Sequence, residues 1–297
     1  MILFNKKYFH NNIKEKNELI AAFEIMILYY KDQQSRCAKQ SSFSESTSRF
    51  FITGKMNIKY KNLVKTFNGN VAVDIDELNI GEKTILGLVG NNGAGKTTLF
   101  RLSLDLLKAD YGKVEMSFTK QDNTFFSTDV KVDEEWKNQT GAFIDESFLI
   151  DFLSPEEYFE FIARVNNIDK KTLDIRLKEY AVFMNDEIVG KKKLIRSMSA
   201  GNKQKIGIIA AMINRPQLLI LDEPFNFLDP SSQNMLKKMI INYNKETGAT
   251  ILISSHNLTH TIDISNRIVV MEHGKIVKDL DNTDIKAKIE LEEYFNM

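Results

Sequence analysis

The stretch Gly90-Asn91-Asn92-Gly93-Ala94-Gly95-Lys96-Thr97-Thr98 constrains this chain more than any other. It fits the pattern GxxxxGK[ST], in which glycines let backbone N–H groups curl around phosphate oxygens while the lysine reaches the outer phosphates. The pattern carries that meaning only between a buried strand and a helix, and both flanks are present. Ile85-Leu86-Gly87-Leu88-Val89 is a short apolar run that reads as a buried strand. Thr97 to Lys108 carries Leu99, Leu102 and Leu106 at helical spacing, which predicts a helix with its N-terminus toward the phosphates. The expectation is an α/β P-loop fold with a nucleoside triphosphate site.

Composition narrows the partners. At 297 residues and 43% apolar content the chain is long enough for one large domain or two small ones. Its 40 basic and 40 acidic residues cancel, so the electrostatic footprint of a nucleic-acid binder is missing and no nucleic-acid partner is expected. A single cysteine, Cys37, allows no internal disulfide and points to a reducing compartment. The longest near-apolar run, Leu19 to Tyr30, is interrupted by Glu24 and too short to span a bilayer. No small-residue cleavage site follows an apolar stretch near the start, so no export signal is expected either.

Residues 1–55 differ from the rest. Asn12 to Tyr30 fits one amphipathic helix, and Gln33 to Ser48 has the serine- and glutamine-rich composition of a linker. They read as a partly disordered N-terminal extension of unassigned role, with Met56 as an alternative start. From there the pattern is regular. Asn57 to Leu63 alternates like a strand, Val73 to Ile80 suggests a second, antiparallel strand, and Gly112 to Phe118 another. Pro155 to Tyr180 reads as helices, with Ser154 as cap and Pro155 in the first turn. Leu218 to Leu221 and Thr250 to Ser254 are buried strands; between them Asp229 caps and Pro230 opens a helix that Gly248 closes. Strands alternating with helices predict a parallel sheet wrapped by helices.

A second phosphate-site signal lies at Leu218-Leu219-Ile220-Leu221-Asp222-Glu223. A carboxylate at the end of a buried strand, Asp222, can hold Mg²⁺, and Glu223 beside it can orient or deprotonate an attacking water. Alone, such a run is as readily a strand entering a polar turn; downstream of a P-loop the metal-and-water assignment gains.

Between these two motifs, Met198-Ser199-Ala200-Gly201-Asn202-Lys203-Gln204-Lys205 resembles the signature sequence of the ATP-binding cassette (ABC) family. Ser199 can cap a helix with Ile206, Ile209, Ala210 and Ile213 on its apolar face, and Gly201 leaves room for close approach. The resemblance implies that Ser199 and Gly201 meet the γ-phosphate of an ATP held by a second subunit. It further implies that Phe67 stacks on adenine, that Asn226-Phe227-Leu228-Asp229 is the interface loop with Asp229 near nucleotide, and that His256 contacts the γ-phosphate. The family's Mg²⁺-sensing glutamine should fall in Gly141 to Glu146, where this chain has Asp145, a carboxylate able to ligate Mg²⁺. Ala200 and Asn202 also depart from the usual signature but should preserve binding. His10, His260 and His273 match nothing and are expected at the surface, and Lys191-Lys192-Lys193 is expected to be a solvated turn.

Gly141 to Asp145, Phe159 to Arg164 and Leu291 to Phe295 are similar to ATPases of the ABC-2-like exporters, including the bacitracin and lantibiotic self-protection type. The implied fold is an ABC domain over 56–297: a P-loop α/β core, an antiparallel β arm and an inserted helical subdomain at about 147–200. The implied cofactors are ATP and Mg²⁺. Lys96 and Gly90 to Thr98 would hold phosphate, Thr97, Asp222 and Asp145 metal, and Glu223 and His256 would be catalytic. The implied partners are a separate transmembrane permease and a second, identical ABC domain, with the chain peripheral on the inner face of the cell membrane. The alternative class is a soluble ABC ATPase acting on ribosomes or DNA. One cassette, one cysteine and no heptads count against it, and intact Glu223 and His256 count against a non-hydrolysing regulatory subunit.

Overall fold

A computed structural model of the chain describes residues 56–119, 124–282, 290–291 and 293–294. The expected extension at 1–55, with Cys37 and His10, lies outside the described residues. The first two strands, β1 (Met56–Phe67) and β2 (Asn70–Ile80), form a hairpin. Its turn residues, Asn68 and Gly69, take φ of 49° and 81°, the left-handed pair that a tight two-residue turn between twisted strands requires. Along β1, Met56, Ile58 and Tyr60 are fully buried while Lys59 and Lys61 face out, the period-two pattern of a sheet with one wet face. β1 also pairs with β4 (Tyr111–Thr119), and β4 with β5 (Phe125–Asp129), giving an antiparallel sheet in the order β2-β1-β4-β5.

The second sheet holds β3 (Ile85–Val89), β6 (Thr140–Phe143), β7 (Leu218–Leu221), β8 (Thr250–Ser255), β9 (Arg267–Glu272) and β10 (Lys275–Asp281) in the order β10-β9-β3-β8-β7-β6. Its neighbours are parallel except β10, which turns back on β9 through His273 and Gly274. The central strands are buried on both faces, so they read as continuous apolar runs.

One core lies between the sheets, where Ile58, Tyr60, Leu88, Ile220 and Leu252 meet Leu99 and Phe100 of α1 (Lys96–Ser103). Full burial of a side chain such as Phe100 contributes about 1.5–3 kcal/mol. The expected helix to Lys108 stops at Ser103, and Leu106 is exposed. Asp105 adopts φ 51°; its N–H donates to the Leu102 carbonyl and that of Leu106 to the Arg101 carbonyl. This six-to-one closure is a Schellman motif, and it uses up the carbonyls a longer helix would need.

The second core covers the other face of the parallel sheet. Ile85, Leu219, Leu221 and Ile251 pack there with α5 (Ala200–Met212) and α6 (Pro230–Thr247). Preceding α5 are α2 (Pro155–Val165), α3 (Lys170–Glu179) and α4 (Ala181–Met184). At α2 the Ser154 Oγ accepts from the Glu157 N–H and the Glu157 carboxylate accepts from the Ser154 N–H, a reciprocal capping box behind Pro155. Asp229 caps α6, Pro230 opens it and Gly248, at φ 69°, closes it, as the sequence predicts. A last helix, α7 (Leu258–Ile264), follows β8. No described helix is long and apolar enough to cross a membrane.

Candidate active site

The loop Gly90 to Gly95 joins β3 to α1 at the carboxyl end of the parallel sheet, where ligands of open α/β sheets bind. Asn91, Asn92 and Gly93 form its exposed rim, while Ala94 is buried. Gly95 is the helix N-cap at φ 106°; a Cβ there would lie 2.3 Å from the Ala72 carbonyl oxygen, so only glycine fits. With glycine as cap, no side chain bonds the first N–H groups of α1. Those N–H groups are the donors that a phosphate takes up at a helix start.

The Lys96 ammonium is buried and donates to the Gly90 carbonyl at 2.6 Å and to that of Asn91 at 3.3 Å. It also lies 3.6 Å from the Glu223 carboxylate. The Thr97 hydroxyl donates to Asp222 at 2.5 Å. The P-loop and the end of β7 therefore share one site, as their sequences predict. Asp222 is 6% exposed, and its second oxygen accepts a very short bond from the Ser254 hydroxyl. Burial pushes the Asp222 carboxyl above its ordinary value, against the pull of the Ser254 and Thr97 hydroxyls.

Glu223 adopts φ 47°, an uncommon conformation for a glutamate. Three contacts hold it there. The Ser254 Oγ accepts from its N–H at 2.8 Å, the Gln204 amide donates to its carbonyl at 3.3 Å, and His256 Nδ1 lies 2.8 Å from its carboxylate. Strain of this kind, locked by several partners, gathers at functional sites. The sequence gives Gln204 and Ser254 no site role; their contacts with Glu223 and Asp222 appear only in the fold. Ser254 carried a signal, since it follows the apolar run Ile251 to Ile253 two residues before His256.

The Ser199 Oγ accepts from the Asn202 N–H at 3.2 Å and caps α5 as expected. A Cβ on Gly201 would stand 2.7 Å from the Phe227 carbonyl, so the close approach its glycine permits is to the chain's own Asn226-to-Asp229 loop. In that loop Phe227 is 70% exposed at φ 63°. The Asp229 carboxylate is committed to the Ser232 hydroxyl and N–H, whose bonds hold it below the usual carboxylate value. Phe67, at the end of β1, is 46% exposed with Lys65 over its ring.

Asp145 sits apart from the expected metal role. One oxygen accepts from the Ser147 N–H at 2.7 Å and the other from Arg101 at 3.0 Å. Burial raises its pKa, but these bonds outweigh it and the carboxyl sits below its ordinary value. Among the described residues, no three His, Cys, Asp or Glu side chains are placed to hold a metal ion between them. His260 is a correction: it is half-buried, its ring 4.8 Å from that of Phe225, because α7 folds back over the turn after Glu223. His273 and Lys191 to Lys193 are exposed as expected.

Residues 73–226 match the family model described as ABC transporter. The chain belongs to the ABC transporter family. It is 33% identical over 215 residues to the ABC transporter ATP-binding protein YhaQ of Bacillus subtilis, covering 72% of this chain and 68% of that protein. It is 30% identical over 231 residues to the bacitracin transport ATP-binding protein BcrA of Bacillus licheniformis, covering 78% and 72%. Among solved structures, an ATP-binding cassette captured as a dimer in a post-hydrolysis state with ADP and Pi superposes with a TM-score of 0.65 at 20% identity, over 77% of this chain and 100% of that one. The chain is thus an ABC ATPase, the ATP-binding and ATP-hydrolysing subunit of an ABC transporter, with the P-loop fold of dimeric cassettes.

Proposed function

We propose that two copies of this chain close on two ATP molecules and drive a separate membrane permease of the exporter type from the inner face of the membrane. The meeting of Lys96, Thr97, Asp222 and Glu223 at one point carries the catalytic part. Two hard oxygen ligands, the Thr97 hydroxyl and the Asp222 carboxylate, suit Mg²⁺, which when bound would neutralise phosphate charge. Asp145 is left to Arg101 and is not needed in that set. Lys96 and the uncapped N–H groups of α1 bind phosphate. Phe67 stacks on the base, and Glu223 takes the proton of the attacking water. His256, close to that carboxylate, serves the γ-phosphate. Ser199 and Gly201 of one copy complete the site of the other, next to the Asp229 loop.

Two things support the transport role: the transporter family itself and the bacitracin transport relative. The test is co-expression with the polytopic membrane protein of a neighbouring reading frame. The chain should then move to the membrane fraction and its ATPase rate should respond to that protein. If the two never associate and no other membrane protein is copurified, the permease assignment is wrong.

A further inference from the structure

Two consecutive carboxylates after β6 reach two different helices. Asp145 accepts from Arg101 in the last turn of α1 at 3.0 Å, and Glu146 accepts from Lys203 in the first turn of α5 at 3.0 Å. α1 begins with Lys96 and Thr97, and α5 begins after Ser199. The segment between the two pairs is pinned as well. The Ser147 N–H bonds back to Asp145, and the Tyr158 hydroxyl donates to the Phe148 carbonyl from α2. An amide at 145 would have no charge with which to hold the Arg101 guanidinium, so the departure at this position acquires a purpose.

Building on the shared-site arrangement above, we propose that Asp145-Glu146 is an electrostatic tie that sets the spacing between the chain's own phosphate-binding helix and its signature helix, with Arg101 and Lys203 as positioning residues. In a closed pair these two helices serve different ATP molecules at the same moment. Slack between them therefore costs turnover rather than the initial capture of ATP by the P-loop. Both pairs are partly solvent-exposed, Arg101 at 46% and Glu146 at 52%, so the tie is modest and salt-sensitive.

The experiment uses the full chain with Lys203→Glu, Glu146→Lys and the double exchange, plus Arg101→Gln for the other arm. Each single variant should lower kcat by about two- to five-fold, the range of an exposed ion pair, with the half-saturating ATP concentration unchanged. The double exchange should recover the wild-type rate, as re-forming the ion pair requires, while a kcat loss at unchanged half-saturating ATP separates positioning from damage to the ATP site. Raising salt should slow the wild type more than Arg101→Gln. Melting temperatures identify any variant that simply misfolds; Arg101→Gln and the salt series then decide. The tie is overturned if folded single variants turn over like wild type, if the exchange fails to rescue, or if salt slows wild type and Arg101→Gln alike. Failure of the shared-site arrangement shows up separately, as no recovery when Lys96→Ala and Ser199→Arg chains are mixed.

Discussion

Nδ1 of His256 lies 2.8 Å from the carboxylate of Glu223, joining the end of β8 to the turn after β7. The same carboxylate lies 3.6 Å from Lys96, so one acidic group stands between the P-loop lysine and the histidine. The base role proposed for Glu223 places that chemistry between these two contacts.

Glu223→Gln keeps the shape and removes the proposed base. ATP should still bind while turnover falls by roughly 10²-fold or more, the scale of general-base loss. The variant should also accumulate as an ATP-bound dimer in size exclusion. Hydrolysis at the wild-type rate would show that another group takes the proton.

Mixing distinguishes shared from separate sites. Lys96→Ala and Ser199→Arg chains should each be inactive alone, since both sites of each homodimer lack a component. Together they rebuild one intact site per mixed dimer, because a two-fold pair repeats each surface twice. Activity should rise with protein concentration. A mixture as dead as its parts, where wild type dimerises, would count against an identical partner.

Asp110 contributes to the acid side of stability. Bonds from Lys65 and from the N–H and hydroxyl of Thr66 lower its pKa to about 2 and hold the end of β1 that presents Phe67. A depressed acid stabilises the fold above its unfolded pKa and loses that contribution as pH falls toward the folded value. The gap in urea midpoint between wild type and Asp110→Asn should be full above about pH 4 and close as pH approaches 2. A gap independent of pH would assign the effect to something other than this carboxylate.

The domain should begin at Met56. This residue is fully buried, pairs with Phe118, and its carbonyl accepts from Thr250 at 2.9 Å. A chain starting there should melt within a few degrees of the full chain and hydrolyse ATP equally. One starting at Lys61 loses Met56 and Ile58 from the core and should be insoluble. Loss of activity already at the Met56 start would show that residues 1–55 contribute to the fold.

What the sequence made legible follows from chemistry at fixed spacing. Phosphate contact by backbone requires Gly90, Gly93 and Gly95 ahead of Lys96, and helix caps require Ser154, Ser199 and Asp229 where they stand. The partners of those groups were hidden because they come from distant segments. Ser254 meets Asp222, Gln204 meets Glu223 and Arg101 meets Asp145 only once the sheet is assembled. The strands β9 and β10 also went unread, although an apolar run before His273-Gly274 is a hairpin signal. At α1 the apolar spacing through Leu106 was misleading, since Asp105 turns left-handed and ends the helix first.

The strand that carries the P-loop has a consequence for synthesis. β3 is flanked by β8 and β9, so Ile85 pairs with Ile251 and Val89 with Val270, and the Gly90 backbone rests against the Met271 carbonyl. Neither neighbour exists while the first half of the chain is leaving the ribosome. Nucleotide cannot stabilise a nascent chain until residues past Met271 have emerged, whereas the hairpins β1-β2 and β4-β5 pair segments close in sequence and are complete earlier. The site that defines the protein is therefore expected to be among the last parts to form, which makes the emerging β3 apolar run a natural client for chaperones.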